Sequence, residues 1–166
     1  MKKVTIIFGS STGNTEKIAQ TIANKLGGEI KIIDVAKATT KDVNESDTLL
    51  LGASTWGYGD LQDDWEDFLP KLEHCELKGK VVALFGLGDS ESYPDTFTNA
   101  MGLIHNTIAP MGCTIIGKVS TEGYTFDDSL AVEDNEFVGL ALNEDNESDL
   151  TEERITHWVE ALKKEL

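Results

Sequence analysis

Phe8 to Lys17 reads FGSSTGNTEK, with four hydroxyl side chains (Ser10, Ser11, Thr12, Thr15), the Asn14 carboxamide and two glycines. An apolar run precedes it and a helix-period pattern follows. Backbone N–H groups at a helix start, together with the helix dipole, favour an anion there. Hydroxyls and an amide add donors, and Gly13 lets the backbone come close. An ordinary helix cap needs one hydroxyl, so four in six residues exceed that need. The chemistry that fits is capture of a phosphate monoester without a cation, because no Lys or Arg precedes Lys17 in the loop. It is not a P-loop: counted from Gly9, the required Gly and Lys fall on Asn14 and Thr15.

Two further stretches have unusual loop composition. STWGYGD, Ser54 to Asp60, sets two large aromatics, Trp56 and Tyr58, beside Gly57 and Gly59. Such a pairing offers faces to a flat ligand. FGLGDSESYPDTF, Phe85 to Phe97, carries Leu87, Gly88 and Asp89, then Tyr93 in a small, polar setting. Glu91 stands where the third glycine of a dinucleotide fingerprint belongs, so that motif fails. A phosphate nest, aromatic walls and glycine-rich backbone together fit a phosphorylated, planar, aromatic cofactor: FMN.

The elements that must carry these loops follow from periodicity. Val4–Phe8, Glu29–Ile33, Thr48–Gly52 and Lys80–Phe85 are short apolar runs of the kind buried on both faces of a parallel sheet. Ile18, Ile22 and Leu26 are spaced by four, with Ala19 and Ala23 widening the stripe and Gly27-Gly28 ending it. Helices are also expected at Asp60–Leu72, Pro94–Ile108 and Thr151–Leu166, the last with Thr151 as its N-cap. A fifth strand is expected over residues 112–120. A polar, acidic stretch and FVGLAL (Phe137–Leu142) follow, so the fifth strand reads either as one interrupted strand or as a strand plus a short sixth. The alternation implies right-handed βαβ units and a three-layer α/β fold. One domain over 1–166 is expected. In such sheets ligands bind outside the carboxyl ends of the strands, where strand order reverses.

Charge narrows the partners. Net charge is −16, and residues 42–166 hold 27 of the 30 acids against seven basic residues. Glu122 to Glu153 holds twelve acids and no Lys or Arg. Nucleic acid is a poor partner for such a chain; a basic protein surface is a good one. No apolar run reaches the length of a membrane span. The start, Met1-Lys2-Lys3-Val4, lacks a signal peptide's apolar stretch, so a cytoplasmic protein is expected; a monomer is expected as well. Cys75 and Cys113 form no CxxC or metal spacing and read as packing residues. His74, His105 and His157 read as surface groups, and Trp65 and Trp158 as core.

GSSTGNTEKIA, STWGYGDLQDDWEDF and ALFGLGDSESYPDTF resemble the three FMN loops of the flavodoxins. The resemblance spans nearly the whole chain, and the acidic stretch after residue 120 with FVGLALNED is similar to the long-chain type. It implies a doubly wound, five-stranded parallel sheet of order 2-1-3-4-5, with FMN at the switch point between strands 1 and 3. It assigns the phosphate to Ser10, Ser11, Thr12, Gly13, Asn14 and Thr15. The ring falls to Ser54, Thr55, Trp56, Gly57, Tyr58 and Gly59, and to Leu87, Gly88, Asp89, Tyr93, Asp95, Thr96, Phe97 and Thr98, with backbone groups around Asp89 and Thr96–Thr98 on its pyrimidine edge. Trp56 and Tyr93 would sandwich the isoalloxazine, and the Gly57–Tyr58 peptide would turn its carbonyl toward flavin N5.

The implied function is low-potential one-electron carriage through a neutral semiquinone, between a flavodoxin reductase and electron-accepting enzymes, with no substrate turnover. The competing reading is an FMN-dependent NAD(P)H:quinone reductase of the same fold, which needs room for nicotinamide over the flavin; Trp56 and Tyr93 covering both faces argue against it. A receiver domain needs clustered acids after strand 1, where this chain has Gly9-Ser10-Ser11. A phosphatase needs a nucleophilic Cys beside an Arg, and Arg154 is the sole Arg.

Overall fold

A computed structural model describes residues 3–9, 13–56 and 58–166. In chain order the elements are β1 (Val4–Gly9), α1 (Asn14–Leu26), β2 (Ile30–Asp34), α2 (Thr40–Asn44), β3 (Thr48–Trp56), β4 (Asp60–Leu61), α3 (Asp63–Leu72), β5 (Val81–Leu87) and α4 (Asn99–Ile108). Then come β6 (Thr114–Ile116), β7 (Val119–Ser120), β8 (Val132–Glu133), β9 (Glu136–Phe137), β10 (Leu140–Leu142) and α5 (Glu144–Glu165).

β1 lies between β2 and β3, all parallel, with Ile6 opposite Ile32 on one side and Leu50 on the other. β3 continues to β5, Leu50 facing Ala83. Beyond β5 the sheet edge is shared. β6 pairs with Val81–Ala83 and β10 with Phe85–Leu87, both parallel. The fifth position is therefore one strand cut in two, and residues 117–139 leave the sheet between the halves. Within that excursion β7, β9 and β8 form a small antiparallel sheet. The order is 2-1-3-4-5 once β6 and β10 count as the fifth strand.

Side chains alternate across a strand, and both faces of this sheet are covered. Ile6, Phe8, Leu50, Ala83, Phe85, Leu140 and Leu142 pack against Ile18 and Ile22 of α1 and Ile155, Trp158 and Leu162 of α5. Ile7, Leu49, Leu51, Val82 and Leu84 pack against Trp65, Phe68 and Leu72 of α3 and Met101, Ile104 and Ile108 of α4. The direction of winding reverses at β1, so right-handed crossovers put α1 on one face and α3 and α4 on the other. That reversal opens a crevice between the ends of β1 and β3.

Several boundaries differ from expectation. β3 and β5 run past Gly52 and Phe85 to Trp56 and Leu87. Asp60–Leu61 folds back as β4 against β3, so α3 starts at Asp63. Residues 94–98 are turn rather than helix, and α4 starts at Asn99. Residues 112–120 hold two short strands instead of one. α5 begins at Glu144 and breaks at Glu147 (φ −133°), so Thr151 is no cap; its hydroxyl bonds Glu144 Oε1 at 3.2 Å. His105 is buried, not on the surface. It continues the inner face of α4 one turn after Met101, with Nδ1 3.8 Å from Glu133. α2 had no sequence expectation; a Thr39–Asp42 capping box starts it and Val43 anchors it.

Both tryptophans expected in the core are there. Trp65 Nε1–H donates to the Gly52 carbonyl and Trp158 Nε1–H to the Gly117 carbonyl, each at 2.8 Å. Burial pushes the Cys75 and Cys113 thiols up, leaving little reactive thiolate at neutral pH.

Gly139, where the excursion rejoins the sheet, lies against the Leu84 carbonyl, and a Cβ there would overlap that backbone oxygen. Gly139→Ala is expected to cost roughly 1–3 kcal/mol, a fall of several degrees in Tm for a chain of this size. Thermal unfolding by circular dichroism measures it; an unchanged Tm would mean the junction is loose.

Candidate functional site

The three unusual loops all leave the sheet at its carboxyl edge, where a cleft of about 340 Å³ opens. Asn14 lines it from the first loop, Ser54, Thr55 and Trp56 from the second, and Leu87, Gly88, Asp89 and Tyr93 from the third. Ser10, Ser11, Thr12 and Gly57 lie outside the described residues.

The first loop ends at Gly13, left-handed at φ 89°, and its carbonyl accepts from Lys17 N–H at 3.1 Å as α1 begins. Thr15 is fully buried, and its hydroxyl meets that of Ser54 at 2.6 Å. This bond joins the first and second loops below the cleft. Thr55 Oγ1 accepts from the Ala100 amide at 3.1 Å, which ties β3 to the start of α4.

After Trp56 the chain reverses. Gly59 N–H donates to the Trp56 carbonyl at 3.1 Å, Gly59 takes φ 101°, and Asp60 pairs back against Trp56. This short hairpin leaves Trp56 41% exposed and Tyr58 87% exposed. A free aromatic face of that size costs folding free energy unless something covers it. Across the cleft Tyr93 is 37% exposed, and its ring meets Tyr58 edge-on, with centroids 5.7 Å apart.

The third loop is organised by Asp89. Its Oδ1 accepts from the Glu91 and Ser92 amides at 3.2 and 3.0 Å and from Asn146 Nδ2 at 2.9 Å. Tyr93 N–H returns to the Asp89 carbonyl at 2.9 Å. Burial pushes this carboxyl up, but the bonds from Asn146, Ser92 and Glu91 outweigh it and hold Asp89 below its ordinary value. Further along, Asp95 is exposed, whereas Phe97 and Thr98 are buried beneath the loop and do not line the cleft. Phe97 packs on Tyr124, Phe126 and Phe137 instead. Thr96 Oγ1 is buried with no hydrogen-bond partner, a donor left for something else to meet.

Sequence reasoning missed one wall. Glu144 and Asp145, in the first turn of α5, also line the cleft. Asn143 Nδ2 donates to Ser90 Oγ at 2.6 Å, and Asn146 reaches Asp89, so α5 and the third loop are stitched together. A signal exists in the chain: NEDNESD follows directly on the last strand, and the carboxyl-end rule applies to that strand as to the others.

The flavodoxin family model matches residues 6–158. The chain belongs to the flavodoxin family. It is 46% identical to the Klebsiella pneumoniae flavodoxin over 168 residues, covering 100% of this chain and 96% of that one. Flavodoxin 1 of Escherichia coli K12 is 47% identical over 163 residues, covering 97% and 93%. Among solved structures, Fusobacterium nucleatum flavodoxin bound to flavin mononucleotide superposes with a TM-score of 0.95 at 30% identity, covering 100% of this chain and 99% of that one. The superposition extends over the whole of this fold. Among the described residues no helix is long and apolar enough to cross a membrane, and no group of acids, His and Cys is placed to hold a metal ion.

Because Asp89 titrates lower in the folded chain than in the unfolded one, its contribution to stability is present above the ordinary carboxylate value and lost as pH falls through the lowered one. Tm should therefore drop as pH falls below about 4. Asp89→Ala should lower Tm at neutral pH and flatten that acid-side slope. An unaltered slope in the variant would remove Asp89 from the account of this loop.

Proposed function

We propose that the chain carries single electrons on non-covalently bound FMN, and that residues 1–166 act as one FMN-binding domain. The observation that carries this reading is the pair of part-exposed rings, Trp56 and Tyr93, in one cleft beside the start of α1. The residues fit the cofactor. The α1 N-terminus, Asn14 and the hydroxyls of Ser10, Ser11 and Thr12 would hold the phosphate. Trp56 and Tyr93 would flank the ring system. Bound flavin supplies the redox chemistry, while the protein orients and tunes it.

The protein's part in the tuning is electrostatic. Asp89, Glu144 and Asp145 line the cleft, and no Lys or Arg does among the described residues. Further negative charge in the cleft would be opposed by these carboxylates and by a phosphate bound to a loop whose sequence, Gly9 to Glu16, has no Lys or Arg. Full reduction is therefore the harder step, and the neutral semiquinone expected from the sequence belongs to this proposal. The Gly57 carbonyl assigned to N5 lies outside the described residues.

Partners follow from charge. Asp60, Asp63 and Glu66 surround the outer side of Trp56, and with Glu144 and Asp145 they make an acidic rim. A basic face on a reductase or acceptor enzyme complements that rim.

Stepwise reduction of the purified protein, followed by visible absorption, is expected to give a flavin spectrum and two separated one-electron steps. A single two-electron step would contradict the carrier reading. Thr12→Lys, or Glu144→Gln with Asp145→Asn, should raise the lower potential by on the order of tens of millivolts. Unchanged potentials would leave the loop and the acids without a tuning role. Electron-transfer rates to a basic redox protein should fall steeply between low salt and roughly 0.2 M, as the screening length shrinks below about 10 Å; salt-independent rates would argue against docking on the rim.

A further inference from the structure

The excursion between the two halves of the fifth strand grips the third loop. Asp127 and Asp128 N–H donate to the Pro94 carbonyl at 2.8 and 3.0 Å, and Phe97 N–H donates to the Asp128 carbonyl at 3.3 Å. Leu130 N–H donates to Asn99 Oδ1 at 2.8 Å. At the centre is Ser129, 7% exposed. Its hydroxyl donates in a short bond to the Phe97 carbonyl and accepts from the Ala131 amide at 3.0 Å. The Thr98 hydroxyl lies 3.5 Å from the same oxygen. Since the Ser129 proton is committed to Phe97, Thr98 is the donor in that contact.

Thr98 is the strained residue of this region. It is β-branched and fully buried, and it sits at φ 51°, ψ 27°. A β-branched residue in left-handed backbone is an outlier that persists only where its surroundings impose it. Ser129 touches the strained unit on two sides, at the carbonyl before it and at its own hydroxyl. The conformation is also communicated to the cleft. Gly88, a cleft-lining residue, lies so close that a Cβ on it would come 2.8 Å from the Thr98 nitrogen and 2.9 Å from the Phe97 ring. Tyr93, the outer wall, is linked to the same turn through Thr96 N–H to the Tyr93 carbonyl and Asn99 N–H to the Thr96 carbonyl.

We infer that Ser129 is a positioning residue for the cofactor: by holding Thr98 in left-handed backbone it sets the shape of the third loop before the ring arrives. Residues 127–130 thereby act as a brace for the cleft although none of them lines it. The inference rests on the FMN reading above. Without Ser129, Thr98 relaxes while no ligand is bound, and ligand binding must restore the strained turn.

A double-mutant comparison separates this from simple destabilisation. FMN dissociation constants are measured by quenching of flavin fluorescence on folded apo-protein, with folding checked by circular dichroism. Ser129→Ala is expected to weaken FMN about tenfold, within the range that one strained residue represents. Glycine takes positive φ without that strain, so the same change made in a Thr98→Gly background should alter affinity less than about twofold. Ser129→Thr, which keeps the hydroxyl, should recover most of the loss. If Ser129→Ala does not fold, Ser129→Cys, of similar volume but weaker bonding, carries the same comparison. Equal losses with and without the Thr98→Gly change, or wild-type affinity in Ser129→Ala, would overturn the inference. No FMN binding by the wild-type chain would instead overturn the reading it rests on.

Discussion

Burying both faces of β1 is the constraint from which the site follows. Ile6 and Ile7 are both fully buried, on opposite faces, so the strand needs helices above and below it as well as strand partners on both sides. Strand order also reverses at β1, with β2 on one side and β3 on the other, and the strand ends at Gly9. Two helices then diverge to opposite faces, and the end of β3 lies beside the gap they leave. Among the described residues, that edge brings the start of α1 and the end of β3 together. The cleft is thus a consequence of how the sheet is covered, and the loops fill it with chemistry.

The sheet is largely readable from composition because a strand buried on both faces must be apolar at almost every position. VTIIF and KVVALF have no other economical use in a chain of this charge. Strand ends are less readable. β3 runs to Trp56 because Ser54, Thr55 and Trp56 still hydrogen-bond their neighbours while their side chains already serve the cleft, so pattern and pairing part company there. Periodicity sets the starts of α3 and α4 too early for a related reason. Helix-compatible residues at 60–62 and 94–98 are held by contacts remote in sequence: β4 pairing on β3, and Asp127 and Asp128 on Pro94. It sets the start of α5 too late because the first turn is separated from the apolar stripe by the break at Glu147.

The site divides in the same way. Aromatics beside glycines are visible as loop residues with no core role, and Trp56 and Tyr93 do stand part-exposed in one cleft. Glu144 and Asp145 are hidden among twelve acids of one stretch, where charge alone does not say which carboxylate faces what. Phe97 and Thr98 share a loop with cleft residues yet point away, because the excursion supplies an aromatic pocket that no local pattern announces. In the sequence the excursion is an acidic insertion without a purpose; its bonds to residues 94–99 are long-range, and no periodicity records them.

The central claim is that one cleft recognises two chemically different halves of a ligand: a phosphate held by neutral donors at the α1 start, and a flat ring held between Trp56 and Tyr93. Parallel titration of apo-protein with FMN and with riboflavin, which lacks the phosphate, tests both halves at once. The account predicts that both bind and that FMN binds at least about a hundredfold tighter, the contribution of a few hydrogen bonds to a charged group. Equal affinities for the two flavins would contradict it.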